Sequence, residues 1–154
     1  MEQDIWFAMA LAVFAVASVV LSVIDFRTKL LPNKILLPAA GASALLLLAH
    51  SISNNSMDAF GRAVLVSLAN FGIYFLLKMI SPISIGMGDV KLAAYVGLMV
   101  GYANWQLLIN SLMYAFFTAS IVAVVMLLLK KTTLKGFLAF GPFMLLGAWM
   151  ALLS

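Results

Sequence analysis

The sequence has no cysteine, and only 9% of its 154 residues are charged. The absence of cysteine excludes disulfides, thiolate metal sites and a cysteine nucleophile. The scarcity of charge leaves too little polar surface to solvate a globular fold in water. Hydrophobic residues make up 66% of the chain, and the mean hydropathy is +1.17. This composition indicates an integral membrane protein.

The charge balance is basic, with nine Lys and Arg residues against five acidic residues and a formal net charge of +4. A basic balance is also typical of proteins that bind nucleic acid, but those proteins gather basic and aromatic residues on one face. Here the basic residues are scattered in short connections between apolar segments. Nucleic acid is therefore not an expected partner, whereas the lipid bilayer is.

Six apolar segments predict an all-α membrane protein, a polytopic bundle in which residues 1–154 form one domain. The predicted spans are residues 5–24, 35–50, 59–80, 90–102, 105–129 and 137–153. The first segment is expected to be retained rather than removed as a signal peptide, because acidic residues precede it and its hydrophobic stretch continues to Ile24.

The distribution of basic residues predicts how the chain is oriented. Eight of the nine lie in or next to odd-numbered connections, with Lys78 and Lys91 on either side of the third, and Arg62 is the exception. The eight are Arg27, Lys29, Lys34, Lys78, Lys91, Lys130, Lys131 and Lys135. Because Lys and Arg are enriched in cytoplasmic connections, this side is predicted to face the cytoplasm and both termini are predicted to lie outside.

Two aspartates stand where apolar segments meet these connections: Asp25 follows the first segment, and Asp89 precedes the fourth. The topology predicts that they lie on the same face. A carboxylate near membrane depth costs roughly 3 kcal/mol or more and usually marks a pathway, a counter-ion or a catalytic site. Two carboxylates close together in a low-dielectric site share one proton, so one acts as base and the other as acid. The pair is predicted to hydrolyse a peptide bond through an activated water.

The fourth predicted span is too short for a bilayer. Residues 90–102 rise about 20 Å as a helix, against a hydrocarbon core of about 30 Å. We therefore expect residues 81–88 to form a re-entrant stretch, which is tolerated where protein or a water-filled cavity lines it. Gly86 and Gly88 are expected to adopt unusual backbone angles and to let another backbone approach Asp89.

The segment Gly86-Met87-Gly88-Asp89-Val90-Lys91-Leu92 resembles the second aspartate motif of the prepilin peptidases, which are intramembrane aspartic proteases of the GxGD type. Asp25 with Leu31-Pro32-Asn33 resembles the first motif, and Ala139-Phe140-Gly141-Pro142-Phe143 resembles a region near the C-terminus of that family. The resemblance implies that Asp25 and Asp89 are the catalytic pair. It also implies active-site support or substrate binding by a second set of residues, namely Gly86, Gly88, Lys91, Pro32 and Asn33.

The resemblance further implies the substrate: a type IV prepilin-like or pseudopilin precursor, whose short basic leader is removed at the cytoplasmic face of the inner membrane. No metal and no organic cofactor are expected. Many bacterial members carry a four-cysteine zinc insert and methylate the new N-terminus. Since this chain has no cysteine, it resembles the short, peptidase-only form, and methyltransferase activity is not expected.

Several other residues carry expectations of their own. Lys91 is expected either to tune the charge of the aspartates or to extend to the membrane interface. Asn33 is predicted to be the N-cap of the second span. The spacing of Gly97 and Gly101 favours close packing of the fourth helix inside the molecule. His50, at the outer end of the second span, is expected to be structural or solvated.

Alternative interpretations of the aspartates stay open. Asp25 would pair with Arg27 or Lys29 if it only stabilised a helix junction, and Asp89 would cap the fourth helix, where the helix dipole favours it. A small proton-coupled transporter or channel subunit would also use buried acids, although a relay needs ionisable groups on both sides of the midplane. An inactive scaffold for pilus assembly is a third hypothesis. The oligomeric state and the individual substrate do not follow from the sequence.

Overall fold

The described residues form six α-helices, which confirms the predicted fold class. The computed structural model describes residues 2–131 and 138–154, and within those ranges it contains no strand. The helices are α1 (Glu2–Thr28), α2 (Asn33–Ser53), α3 (Met57–Ile80), α4 (Met87–Ala103), α5 (Gln106–Leu128) and α6 (Gly141–Leu153). Lys135 and the predicted start of the sixth span at residue 137 lie outside the described residues.

Four helices, α1, α2, α3 and α5, are long and apolar enough to cross a bilayer, with mean hydropathies between 1.9 and 2.7. Their outward faces carry large apolar side chains such as Val16, Leu65 and Phe117. Apolar surface of this extent is unstable in water, whereas helices with internally paired backbones are stable in lipid. The chain is therefore a multi-pass membrane protein.

Helix α4 forms the centre of the bundle. Twelve of its seventeen residues are buried, and it packs against α2, α3, α5 and α6. A helix that is apolar on every face is stable where other helices surround it. The helix begins at Met87 rather than at the predicted residue 90, because Met87 and Gly88 adopt helical conformation. The non-helical connection before it is therefore only residues 81–86.

Consecutive helices pair with one another, α1 with α2, α3 with α4 and α5 with α6, and α1 also packs against α6. Short connections make each pair antiparallel. The end of α1 and the beginnings of α2, α4 and α6 consequently meet at one end of the bundle. This is the end that carries both aspartates.

Two glycines of α4 allow its close packing against α3. A Cβ atom at Gly97 would lie 2.8 Å from the carbonyl oxygen of Val66 and 2.8 Å from the Cα atom of Ser67, and one at Gly101 would overlap the Val66 side chain. At the same interface the hydroxyl group of Ser67 donates a hydrogen bond to the carbonyl oxygen of Ala94, at 2.7 Å. The expectation that these glycines pack the fourth helix inside the molecule is confirmed.

At the opposite end of the bundle, hydrogen bonds of Arg62 and His50 connect α3 and α2 to α4. The guanidinium of Arg62 donates hydrogen bonds to the carbonyl oxygens of Gly101 and Tyr102, at 2.9 and 2.6 Å. The Nδ1 atom of His50 lies 2.5 Å from the Tyr102 hydroxyl group, which is also 2.9 Å from the hydroxyl group of Ser51. Arg62 thus satisfies the last carbonyls of α4, which explains a basic residue on this side. The contacts of His50 agree with a structural role.

We predict that Gly97→Ala lowers the thermal stability of the protein, because the added methyl group would overlap the backbone of α3. Overpacking of this kind costs about 1–3 kcal/mol. The matched control is Gly72→Ala in α3, where a Cβ atom has no neighbour within 4 Å and alanine favours the helix by about 1 kcal/mol. The measurement is the unfolding midpoint in detergent micelles, and equal midpoints for the two variants would contradict the close approach.

Candidate active site

Asp25 lies in the last turn of α1, because this helix continues to Thr28, beyond the predicted end of the first span. Its side chain is only 3% exposed. The Oδ2 atom accepts a hydrogen bond from the backbone N–H of Gly141, at 3.1 Å. Gly141 opens α6, and the free amides and partial positive charge at a helix N-terminus stabilise an anion. The C-terminal segment singled out in the sequence therefore meets the first aspartate directly.

Asp89 lies in the first turn of α4, and it is 6% exposed. Its Oδ2 atom accepts a hydrogen bond from the backbone N–H of Gly86, at 3.1 Å. Gly86 is the N-cap residue and Asp89 is the third residue of the helix, so the contact is the acidic half of a capping box. The capping interaction that was open as an alternative is thus present, and it engages one oxygen of the carboxylate.

The two carboxylates share one arrangement. Each uses Oδ2 to accept a glycine amide at the beginning of a helix, while Oδ1 accepts no hydrogen bond from the described part of the chain. The Asp25 and Asp89 carboxylates lie within electrostatic range of each other. The structure therefore brings both predicted aspartates together in a buried site.

Leu31 packs between the two halves of the site. A Cβ atom at Gly88 would lie 2.8 Å from the Cβ atom of Leu31, and one at Gly141 would lie 3.5 Å from its Cδ1 atom. A Cβ atom at Gly141 would also lie 2.6 Å from Oδ2 of Asp25. Glycine is required at both positions because any side chain would displace the residues that hold the aspartates.

The prediction for the two glycines of the GxGD segment was partly wrong. Gly86 has φ −79° and ψ 161°, and none of the described glycines has a positive φ. Gly86 also has room for a Cβ atom, which would lie 3.7 Å from Oδ2 of Asp89 in ordinary contact. Gly88 is needed for a close approach, but its neighbour is the Leu31 side chain rather than another backbone. The unusual angles are absent because the helix already begins at Met87.

Lys91, Asn33 and Pro32 form a link between α4 and α2. The Nζ atom of Lys91 donates a hydrogen bond to Oδ1 of Asn33, at 3.2 Å. Pro32 occupies the N-cap position of α2 with extended backbone angles, and its carbonyl oxygen accepts the amides of Ile35 and Leu36. The prediction of Asn33 as N-cap is wrong, because Asn33 is already the first helical residue and its side chain binds Lys91.

Two residues of α3 that the sequence did not indicate as site residues face Asp89. Tyr74 and Lys78 both lie within electrostatic range of its carboxylate. Tyr74 is 1% exposed and packs against Phe140, with ring centroids 6.0 Å apart. Lys78 donates a hydrogen bond from Nζ to the carbonyl oxygen of Ile85, at 3.3 Å. The four-residue spacing places both on one face of α3, but only packing shows that this face meets Asp89.

An apolar groove of about 670 Å³ opens between α1 and α6. Its α1 wall includes Ser22 and Phe26, and its α6 wall includes Pro142 and Trp149. At one end the groove is lined by Phe26 and Pro142, which directly follow Asp25 and Gly141 in sequence. A smaller groove of about 400 Å³ lies on the other side of α1, against α2.

Residues 11–128 match the model of the type IV leader peptidase family. The chain belongs to this family. It is 28% identical to the prepilin leader peptidase/N-methyltransferase of Stutzerimonas stutzeri, over 96% of this chain and 50% of the relative. Relatives of the same name from Escherichia coli K12 (30% identical, 86% of this chain, 57% of the relative) and Dickeya chrysanthemi (31%, 87% and 46%) are also similar.

This leader peptidase family member spans about half the length of the curated relatives that it matches. No solved structure gives a significant match to the chain. The residues matched by the family model contain Asp25 and Asp89 but end before Gly141. The contact between α6 and Asp25 is thus evident only in the three-dimensional structure.

We predict that Leu31→Cys combined with Gly88→Cys forms a disulfide on mild oxidation, because the two Cβ positions meet and a disulfide needs Cβ atoms about 3.8 Å apart. The chain has no other cysteine, so loss of labelling by a maleimide reports this bond alone. The control combines Leu37→Cys with Gly88→Cys, since Leu37 is 55% exposed on α2. Free thiols in the first pair, or protection in the control, would contradict the packing of Leu31.

Proposed function

We propose that this chain is an intramembrane aspartic endopeptidase that removes the leader from type IV prepilin-like precursors. Family membership and the printed names of the relatives support the substrate class. The observation that carries the aspartic chemistry is the buried pair of carboxylates from α1 and α4, each anchored through Oδ2 to a glycine amide. Aspartic peptidases use such a pair, in which one carboxyl group accepts a proton while the other donates one.

We assign the Oδ1 atoms to the reaction, because they accept no hydrogen bond from the described residues. With Oδ2 of each aspartate engaged, Oδ1 is available for a water molecule or for the scissile carbonyl group. Two buried carboxylates within electrostatic range share one proton and titrate as a unit. The ionised aspartate removes a proton from the water as its oxygen attacks the carbonyl carbon, and the protonated aspartate donates its proton to the carbonyl oxygen. When the tetrahedral intermediate collapses, the aspartate that took the proton from the water gives it to the leaving amine nitrogen, and the C–N bond breaks. A hydroxyl group of the intermediate returns its proton to the other aspartate as the new carboxyl group forms.

The positive charges at the aspartate end of the bundle support a cytoplasmic location for the site in the inner membrane, with both termini outside. Arg27, Lys29 and Lys34 surround the junction of α1 and α2 at this end, and all three are exposed. A precursor with a cytoplasmic basic leader and a membrane-embedded helix presents its junction at the same depth. Water reaches such a site without crossing the hydrocarbon core.

The proposed activity is confined to peptide cleavage. The names of the relatives include N-methyltransferase, and this chain spans about half of their length. The two carboxylates form a hydrolytic arrangement, which requires no methyl donor, and the described residues contain no cluster of three or more metal-ligating side chains. The pair of aspartates therefore supports hydrolysis and lends no support to methyl transfer.

We predict that Asp25→Asn and Asp89→Asn each reduce cleavage of a prepilin-like precursor by about 10²- to 10⁴-fold, the range for removal of a general acid or base. The amide keeps the size of the side chain but does not exchange a proton. Asp58→Asn is the matched control, because Asp58 is exposed at the beginning of α3, at the opposite end of the bundle. Cleavage is followed by gel mobility of the precursor in membranes with equal expression.

Retained cleavage in both aspartate variants would exclude the paired mechanism. If wild type cleaved none of several pilin-type precursors while proton uptake into vesicles depended on the aspartates, the transporter hypothesis would replace the peptidase.

The groove between α1 and α6 supports a precursor helix as its occupant. It is lined almost entirely by apolar side chains, and Phe26, the residue after Asp25, lines one end. Ser18 and Ser22 line it at a four-residue spacing, and small residues at this spacing allow another helix to approach closely in a membrane. A hydrophobic helix in this groove would place the preceding leader junction beside the aspartates.

We predict that Ser22→Trp raises the KM for a precursor that contains its hydrophobic helix about tenfold or more, because the indole would fill the groove. Cleavage of a short leader-junction peptide is expected to change much less. Val16→Trp is the matched control, since Val16 lies on α1 in the smaller groove against α2. If Val16→Trp raised the KM for the long precursor more than Ser22→Trp, or if Ser22→Trp changed the KM for both substrates equally, the groove would be assigned to lipid.

A further inference from the structure

The peptide unit between Ile85 and Gly86 is bound on both sides by charged side chains. Its carbonyl oxygen accepts a hydrogen bond from Nζ of Lys78, at 3.3 Å. Its N–H donates a hydrogen bond to Oδ2 of Asp89, at 3.1 Å. Both groups belong to one planar, resonance-stabilised amide. The ammonium group of α3 and the carboxylate of α4 are therefore connected through a single peptide bond.

This connection has an electrostatic consequence. A positive charge at the carbonyl oxygen draws electron density from the amide nitrogen, so the N–H becomes a stronger donor to the carboxylate. Hydrogen bonds in series polarise one another in this way, and the effect is larger in a low-dielectric interior than in water. The same contacts also hold the plane of the amide, which sets the direction of the N–H toward Asp89.

Few other contacts hold this peptide in place. It ends the non-helical connection between α3 and α4, in which residues 81–84 are exposed. The amides of Ser84 and Ile85 reach the carbonyl oxygen of Ser81 only at 3.2 and 3.4 Å. Lys78 is half-buried one turn after Tyr74 on the face of α3 that meets the site. Its side chain thus ties the peptide to α3, while Asp89 binds the peptide from α4 and the Ile85 side chain packs against the core.

The charged and titratable groups around Asp89 come from three helices. Asp25 faces it from α1, and Tyr74 and Lys78 face it from α3. On α4 itself, Lys91 is directed to Asn33 and binds its side chain. Among the described residues, Lys78 is the cation whose charge acts on Asp89.

We propose that Lys78 is a positioning residue that holds and polarises the Ile85–Gly86 peptide so that its N–H binds Asp89 in the ionised form. The inference deepens the proposed function and rests on it for its kinetic readout. Lys78 touches no reacting atom; it acts through the peptide that it binds, and its charge adds an electrostatic attraction on Asp89.

The test compares Lys78→Met, Lys78→Arg and Lys131→Met across pH. Removing the cation weakens the N–H donor and makes ionised Asp89 less favourable, so the acidic limb of the kcat profile is expected to move to higher pH. A shift of about one pH unit and an approximately tenfold lower kcat below that limb correspond to loss of one charge-assisted hydrogen bond. Lys78→Arg keeps a charged donor and is expected to restore most of the profile.

Lys131→Met is the matched control, because Lys131 is exposed after α5 at the same end of the bundle and its side chain has no role in the site. An unchanged profile in Lys78→Met, or an equal shift in Lys131→Met, would overturn the proposal and leave Lys78 as a determinant of membrane orientation. If Lys78→Met does not fold, as judged by its unfolding midpoint, Lys78→Gln takes its place.

A second readout does not depend on cleavage. Infrared difference spectra follow the carboxyl C=O band against pH, and Asp89→Asn identifies the part of the band that belongs to Asp89. If the pH at which this part of the band changes is higher in Lys78→Met, the peptide connection is supported even when no precursor is cleaved. In that case only the proposed function fails. If wild type cleaves the precursor but the Asp89 part of the band does not move in Lys78→Met, the role proposed for Lys78 is wrong. The proposed function would then still stand.

Discussion

The hydrogen bonds from two glycine amides to two buried carboxylates are the interactions on which the site depends. Gly141 at the beginning of α6 binds Asp25, and Gly86 at the beginning of α4 binds Asp89. A buried carboxylate without a partner is strongly unfavourable, and a helix N-terminus offers both free N–H groups and partial positive charge. The two helix starts thus make it possible to keep two acids in an apolar bundle, and in the described part of the chain each occupies only one carboxylate oxygen.

Complete burial of α4 fixes where these helix starts lie. Gly97 and Gly101 bring the backbone of α4 against α3, and Arg62 binds the last carbonyls of α4 at the opposite end. Since α4 is held along its length and at its far end, Asp89 in its first turn has a defined position. Groups placed on rigid helices are held more closely than groups on loops. The irregular segment at residues 81–86 is tied back to α3 by Lys78.

The two ends of the bundle are chemically different. The aspartate end combines buried acids, exposed basic residues and the end of an apolar groove that Phe26 and Pro142 line. The other end combines His50, Ser51, Tyr102 and Arg62 in hydrogen bonds that join α2, α3 and α4. Reactive groups that need water are therefore at one end, while the other end holds the helices together. This division agrees with a peptidase that works at one membrane face.

The sequence by itself determined the membrane class, the six helices and the placement of Asp25 and Asp89 at one end, because hydrophobicity and charge are local properties and because alternate connections lie on the same side. It did not determine the partners of the aspartates. The Gly141 amide binds Asp25 across 116 positions, Leu31 separates Gly88 from Gly141, and Lys78 reaches Asp89 through a peptide bond. Even Asn33, an expected N-cap, binds Lys91 across 58 positions instead. Such contacts depend on which helix faces meet, and in a chain that is apolar on nearly every face only tertiary packing decides that.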